Sequence, residues 1–293
     1  MKHVGLVLEG GGQRGVFTSG VLDYMMEKGL QLPYVIGVSA GACNAVDYVS
    51  GQIGRTKECM VDAQKEYGYI NMKNFLKTGY LFDMDMVFDR YPKELVPFDF
   101  DAYEKSPIRC VMTATNCKTG MPAYIEEKHD RKRVLDGCRA SSSLPFVAPV
   151  VYVDGEPMLD GGLSDSIPVK HAMIDGYKDN IVILTKVKGY RKPDHPGKNY
   201  KMARFFYKKY PHLVNALKYR NQSYNKTLDY LEKLEARGRI FIIRPEFDGA
   251  GRVERDEEKL NAFYKHGYDY MKKHYDQLMA WMETKPDEDT HMA

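Results

Sequence analysis

The feature that most limits the possible folds of this chain is a serine between two glycines, where a strand gives way to a helix. Residues 37–41 read Gly-Val-Ser-Ala-Gly and join a short apolar run to the small residues of 42–49, a pattern typical of a helix. In such a turn Ser39 has a strained backbone and an exposed hydroxyl, and Gly37 and Gly41 prevent side-chain collisions. The pattern indicates a nucleophile elbow, although an ordinary turn can carry it by chance.

Strand-like runs alternate with helical or loop segments through the first half of the chain. Such alternation favours a mainly parallel sheet covered by helices. With 293 residues, 43% of them hydrophobic, the chain can build a substantial core. We therefore expect a three-layer α/β/α sandwich. The expected strands lie near residues 4–9, 34–37, 108–115, 147–153, 180–186 and 239–243, and the expected helices near 18–28, 200–237 and 256–282.

The organisation along the chain predicts one catalytic α/β domain over residues 1–190. Residues 191–283 are expected to form a basic helical region with one further strand, packed on the same domain. Residues 284–293 are polar and are expected to fray. The segment 54–104 is rich in Met, Tyr and Phe, and could be a lid or a surface excursion over the site.

A glycine-rich loop between the first strand and the first helix has two interpretations. Gly10, Gly12 and Gly15 satisfy the GxGxxG pattern of dinucleotide-binding folds, which also requires an acidic residue at the end of the second strand. That strand ends at Gly37 without one, which disfavours a nucleotide site. Alternatively, backbone N–H groups at the start of a helix can stabilise an oxyanion beside a serine nucleophile. Arg14 could add charge to this loop or brace it.

A serine nucleophile needs a general base, and histidine is the usual one. His171, His195 and His212 follow Ser39 in the order of a conventional Ser-His-Asp esterase, but none lies in a recognisable strand-end turn. Asp160 is the stronger candidate, because it ends a short apolar strand and precedes two glycines. An ordinary Asp-Gly turn would give the same pattern.

Together these motifs resemble the patatin-like phospholipases, a family with a Ser–Asp pair in place of a triad. The resemblance covers about residues 4–170. It includes an Ala-Ser-rich stretch at 140–146 and a Ser-Ile-Pro-Val run at 166–169. Two positions depart from the family pattern: Glu9, where aspartate is more common, and Ser143, where a smaller residue is usual.

By resemblance, Ser39 is the nucleophile and Asp160 the proton acceptor, with an acyl-enzyme intermediate and no metal or cofactor. The implied substrate is a lipid ester, as for a phospholipase A or lysophospholipase. A catalytically silent lipid-binding protein of the same fold is an alternative. The resemblance assigns the oxyanion hole to Gly10, Gly11, Gly12 and Arg14, and the remaining motif glycines are Gly15, Gly37, Gly41, Gly161 and Gly162.

The cysteines, the apolar segments and the distribution of charge indicate where in the cell the protein is found. The five cysteines are odd in number and form no CxxC pair, and no signal peptide or membrane span is recognisable, so a cytoplasmic protein is expected. Residues 185–239 carry fifteen Lys/Arg against four Asp/Glu. Between 200 and 239 these cations interleave with aromatics, which suits either peripheral contact with the inner membrane surface or a solvated helix over the core. No recognition motif accompanies the charge, so nucleic acid is not expected.

Overall fold

The protein is described by a computed structural model that covers residues 3–70, 72–196 and 199–284. The expected frayed tail, apart from Thr284, lies outside the described residues. The strands are β1 (Val4–Leu8), β2 (Tyr34–Val38), β3 (Arg109–Asn116), β4 (Pro122–Glu126), β5 (Val151–Val153), β6 (Glu156–Asp160), β7 (Asp179–Ile183) and β8 (Ile240–Ile243).

Helices lie between and after these strands. They are α1 (Gly15–Glu27), α2 (Ala40–Ser50), α3 (Arg55–Lys57), α4 (Ala63–Tyr67), α5 (Met72–Thr78), α6 (Phe100–Lys105), α7 (Arg131–Ser142), α8 (Val169–Ile174), α9 (Asn199–Phe206), α10 (Pro211–Ala236) and α11 (Glu257–Glu283). Two π-helical segments (Glu58–Asp62 and Met86–Leu95) and two short 3-10 helices (Gly12–Arg14 and Gly161–Leu163) complete the described helical structure.

The sheet is mixed but mostly parallel, with the order β5-β6-β3-β2-β1-β7-β8. β3, β2, β1, β7 and β8 run parallel, whereas β4 and β6 pair antiparallel with β3, and β5 pairs antiparallel with β6. The predicted α/β/α class is confirmed. The expected strand at 147–153 is wrong over 147–150, where residues 144–148 form turns instead.

Helices cover both faces of the sheet. One core contains side chains of α1, α2, α7 and α11, and the other contains side chains of α8 and α10. Every residue of β1, β2 and β7 is buried, as expected for parallel strands covered on both faces. The carboxyl ends of β1, β2 and β7 therefore meet at one edge, where α/β proteins usually bind ligands.

Candidate active site

Ser39 occupies the turn that joins β2 to α2. Its φ of 56° and ψ of −125° are values that residues other than glycine rarely adopt, so the backbone is strained at this residue. The turn is tight, because a Cβ on Gly37 would lie 2.2 Å from the carbonyl oxygen of Gly41. Ser39 is 8% exposed and lines two neighbouring pockets.

A buried serine on α7 holds this turn in position. The Ser39 N–H donates to Oγ of Ser141 at 2.8 Å, and that hydroxyl donates to the carbonyl oxygen of Thr113 on β3 at 2.6 Å. Ser141 is fully buried, so water cannot replace either bond. The Ala-Ser-rich stretch was noticed in the sequence only as part of the resemblance, and nothing in it indicated this contact.

Asp160 ends β6 and lies beside Ser39 in the polar pocket defined below. Its Oδ1 accepts the Gly162 N–H at 2.7 Å, whereas the buried Oδ2 has no hydrogen-bond partner among the described residues. Burial raises the pKa of Asp160, while the charge of Arg220, the Ser39 hydroxyl and the Gly162 N–H oppose that rise. The Ser39 hydroxyl is thus near Asp160 without a fully formed hydrogen bond, as is common before a substrate is in place.

The glycine loop follows β1 and runs past Ser39. Among the described residues, the N–H groups of Gly10 and Gly11 have no hydrogen-bond acceptor, and both glycines line a pocket with Ser39. A Cβ on Gly10 would lie 3.2 Å from Cβ of Ser39, which shows how closely the two backbones approach. Nε of Arg14 donates to the Gly11 carbonyl at 3.2 Å and so braces the loop.

Glu9, a departure from the family pattern, connects this loop to the C-terminal part of the chain. Oε2 accepts the N–H of Thr185 at 2.7 Å, and Oε1 accepts the hydroxyl of Tyr224 on α10 at 2.7 Å. The glutamate is buried, and its charge is stabilised by these donors. The longer side chain of glutamate thus fixes the position of α10 relative to β1.

The polar pocket is lined by the glycine loop, Ser39, Asp160 and several cations. It was not predicted from the sequence. Its cationic side chains come from four parts of the chain: Arg14, Lys186, Lys192, Arg220 and Arg252.

The second pocket that Ser39 lines is apolar, and half of its lining residues come from the segment 54–104. The volume available to the centres of water molecules in it is about 150 Å³. Gly12, Ser39, Leu144 and Arg252 line both pockets. The other apolar side chains around it include Val46, Val134 and Leu135 from α2 and α7, and, from the segment 54–104, Met60, Ile70, Phe82, Met84, Val87, Phe88, Tyr91 and Phe98.

The basic aromatic segment divides into two parts. On α9, Phe205 and Phe206 are 76% and 62% exposed. On α10, the buried side chains that include Leu213 and Leu228 cover the core, as the solvated-helix interpretation predicted for this helix. Arg220, which was grouped with the surface cations, instead reaches the polar pocket and donates to the Gly162 carbonyl at 2.6 Å.

The three histidines considered as bases lie elsewhere. His171 stacks on Tyr124 with ring centroids 3.4 Å apart, and His195 and His212 are exposed. Within the described residues, no histidine lines either pocket.

Comparison with known proteins identifies two regions. The sequence profile of the patatin-like phospholipase family matches residues 6–173, and that of a domain of unknown function matches residues 210–283. The crystal structure of VipD from Legionella pneumophila has the same fold, with a TM-score of 0.53 and 15% sequence identity. That match covers 94% of this chain and 67% of that chain.

Two relatives extend the comparison along the chain. An uncharacterized Escherichia coli K12 protein, YjjU, is 30% identical over 256 residues, which cover 83% of this chain and 68% of that protein. A lysophospholipase of Meyerozyma guilliermondii is 26% identical over 283 residues, which cover 92% of this chain but only 19% of that longer protein. Since the family profile matches more than half of the sequence, the chain belongs to the patatin-like phospholipase family.

Proposed function

We propose that this protein is a serine acyl hydrolase that cleaves carboxylic esters of lipids. The observation that carries the proposal is the position of Ser39, which lies beside a buried carboxylate with a free oxygen and at the junction of an apolar and a polar pocket. An acyl chain suits the apolar pocket, and the alcohol part of the ester suits the polar one. The relatives named as lysophospholipases give this substrate class further support.

In the proposed acylation step, Oγ of Ser39 attacks the ester carbonyl while Asp160 takes its proton. The N–H groups of Gly10, Gly11 and Gly12 stabilise the oxyanion of the tetrahedral intermediate, a contribution of about 3–4 kcal/mol per donor in other enzymes. Arg14 braces this loop. The intermediate collapses, the alcohol leaves with the proton from Asp160, and the acyl group remains on Ser39.

In the proposed deacylation step, Asp160 removes a proton from water, which attacks the acyl-enzyme. The second tetrahedral intermediate uses the same donors, and the fatty acid leaves as the proton returns to Ser39. Burial suits Asp160 to this role, since an aspartate of ordinary pKa is a weak base at neutral pH.

Two alternatives remain from the sequence. A catalytically silent lipid-binding protein of the same fold would have no need for both Ser39 and a buried, incompletely bonded Asp160. A Ser-His-Asp esterase would need a histidine near Ser39, and none of the described histidines lines its pockets.

The proposed roles can be tested with a fluorophosphonate probe and with hydrolysis of monooleoylglycerol. We expect the probe to label the unmodified protein at Ser39, and Ser39→Ala to abolish labelling. Ser39→Ala and Asp160→Asn should each lower kcat by roughly 10³-fold or more. Ser50→Ala, at the end of the same helix α2, is the matched control. Full activity of Asp160→Asn together with loss in a histidine variant would indicate a triad, and no labelling with no hydrolysis would favour the silent protein.

We also propose that α9 contacts a membrane surface near the entrance to the site. The exposed Phe205 and Phe206 are accompanied by exposed cations on and after the same helix, a composition that favours anionic lipid surfaces. Phe206 packs on Phe146 with ring centroids 5.9 Å apart, and Leu144 of the same turn lines both pockets. The exposed cations are Lys201, Arg204, Lys208 and Lys209.

Co-sedimentation with vesicles tests this contact. We expect the protein to bind vesicles containing phosphatidylglycerol more than vesicles of phosphatidylcholine alone, and replacement of Phe205 and Phe206 by serine to reduce that binding. Ile174→Ser, which removes an equally exposed apolar side chain on α8, is the control. Negligible binding to both vesicle types would contradict the proposal.

The cytoplasmic location stays a prediction. Helices long and apolar enough to cross a bilayer are absent from residues 3–70, 72–196 and 199–284.

A further inference from the structure

The polar pocket has more positive charge than its carboxylates balance. Of its five cations, Lys186 pairs with Asp248 at 2.7 Å, whereas the other four form no ion pair among the described residues. The carboxylates in the pocket are Glu9 and Asp160, so the four cations leave an excess of two positive charges when Lys192 is protonated. The cations without an ion pair are Arg14, Lys192, Arg220 and Arg252.

Two of these cations, Lys192 and Arg220, are held in place by contacts with neutral groups. The backbone of Lys192 forms two hydrogen bonds with the side-chain amide of Asn225 on α10, both at 2.9 Å. Nζ of Lys192 lies 3.6 Å from the centre of the Tyr224 ring. Nε of Arg220 donates to the carbonyl oxygen of Gly162, which follows Asp160 by two residues. The pocket is therefore preorganised to receive a negative charge.

The pKa values of two of these groups are lowered by burial and by the like charges around them. Burial, followed by the charge of Arg220, lowers the pKa of Lys192 to about 6. Burial, followed by the charge of Arg252, lowers the pKa of Arg220 to about 10. A bound anion would reverse the electrostatic part of both shifts, because it favours the protonated forms.

We propose that the polar pocket binds a phosphate monoester on the alcohol part of the substrate, and so selects acylglycerol phosphates among lipid esters. This inference rests on the proposed function, because it takes the ester carbonyl to lie at Ser39. A phosphate monoester carries close to two negative charges at neutral pH, matching the excess in the pocket, whereas a phosphodiester head group carries one. Arginine and lysine are the side chains that most often bind phosphate.

The size of the pocket agrees with a phosphate that has no further head group. The volume available to the centres of water molecules is about 40 Å³. One water needs about 10–15 Å³ on this scale, so the pocket holds about three, which suits the terminal oxygens of one phosphate. Of the four cations without an ion pair, Lys192, Arg220 and Arg252 lie outside residues 6–173, so the family match does not account for them.

The test compares three substrates with the same acyl chain: monooleoylglycerol phosphate, monooleoylglycerol phosphocholine and monooleoylglycerol. We expect kcat/KM to be highest for the phosphate monoester. Replacing both Lys192 and Arg252 with glutamine should reduce the ratio of kcat/KM for the phosphate monoester to that for monooleoylglycerol by about 10-fold or more, since each removes a charge-assisted contact. Lys188→Gln, an exposed lysine of the same loop, is the matched control and should leave that ratio unchanged.

Equal kcat/KM for the phosphate monoester and monooleoylglycerol in the unmodified protein would overturn the inference and leave the proposed hydrolase intact. If no ester is hydrolysed, the proposed function fails, and binding is then tested by calorimetry with the non-hydrolysed phosphate lipid and with inorganic phosphate. Tighter binding of the lipid, lost in the double variant, would support the pocket assignment. Binding of inorganic phosphate alone would overturn it, because the anion would then not belong to a lipid.

Discussion

The two pockets that meet at Ser39 are built from different parts of the chain. Apart from Arg252, which lines both pockets, the apolar pocket is formed within the region that matches the family, mainly by α2, α7 and the residues between 55 and 98. The polar pocket combines the family's glycine loop with Lys192, Arg220 and Arg252 from beyond that region. Under the proposed function, the difference predicts that the acyl site is formed by the region that matches the family, whereas the group bound opposite the acyl chain depends on the C-terminal residues.

This division makes the effects of substitutions separable. A change that displaces Ser39, which lines both pockets, should affect the hydrolysis of every substrate. A change in the apolar pocket should alter the preference for acyl-chain length. A change in the polar pocket should alter the preference for substrate charge and the pH dependence of activity.

Outside the Ser39–Asp160 pair, the largest expected effect is from Ser141→Ala, because that serine holds Ser39, which lines both pockets. Loss of its hydroxyl leaves the Ser39 N–H without its acceptor and removes a donor to the Thr113 carbonyl in a buried site, and the strained elbow can relax. We expect kcat to fall by about 100-fold for short-chain, long-chain and phosphate esters alike. The free energy of unfolding should fall by about 1–3 kcal/mol, measured by urea denaturation.

Ser143→Ala is the matched control for this substitution. Ser143 is as buried as Ser141, but its hydroxyl has no hydrogen-bond partner among the described residues. Removing an unbonded buried hydroxyl should leave stability unchanged or slightly raised. Equal losses in the two variants would show that helix packing, and not the bond to Ser39, explains the effect.

A smaller and more selective effect is expected from Val87→Trp. Val87 is half-buried on the second π-helical segment and lines only the apolar pocket, so the larger ring can occupy space used by an acyl chain. We expect the ratio of kcat/KM for p-nitrophenyl palmitate to that for p-nitrophenyl butyrate to fall by about 10-fold. An unchanged ratio would mean that the acyl chain lies elsewhere.

The sequence predicted the features that depend on local patterns. The elbow at Ser39 and the glycine loop occupy consecutive residues, so their strand-to-helix turns could be recognised directly. The predicted strand before Asp160 is β6, although it pairs antiparallel with both of its neighbours, β3 and β5. Residues between 54 and 104 line the apolar pocket, whereas the sequence left open whether they form a lid or a surface excursion, and their π-helical segments had no recognisable signal.

The polar pocket could not be predicted, because its cations are distant in sequence and are brought together only by the packing of α10 and two loops. One signal was present: Arg220 and Tyr224 lie four residues apart, on the helix face that also carries Leu213, Leu228 and Leu231. A cation on an otherwise apolar face is unusual in a helix that only covers a core. It was interpreted as part of a surface charge pattern instead.

The smallest expected effect is that of Arg220→Gln, which should change the pH dependence of activity through the polar pocket alone. The charge of Arg220 is the largest of the influences that oppose the burial-raised pKa of Asp160. Its removal should raise that pKa further. Since Asp160 must be ionised to act as a base, activity is lost as pH falls through its pKa, and in the variant this loss should begin at a higher pH. The shift is measured from profiles of kcat/KM against pH with monooleoylglycerol, because this substrate has no phosphate group that would itself titrate. Arg191→Gln is the control, because the guanidinium of Arg191 pairs with Asp229 and Glu232. If the acid limb moves equally in both variants, or moves to lower pH in Arg220→Gln, then the charge of Arg220 does not lower the pKa of Asp160.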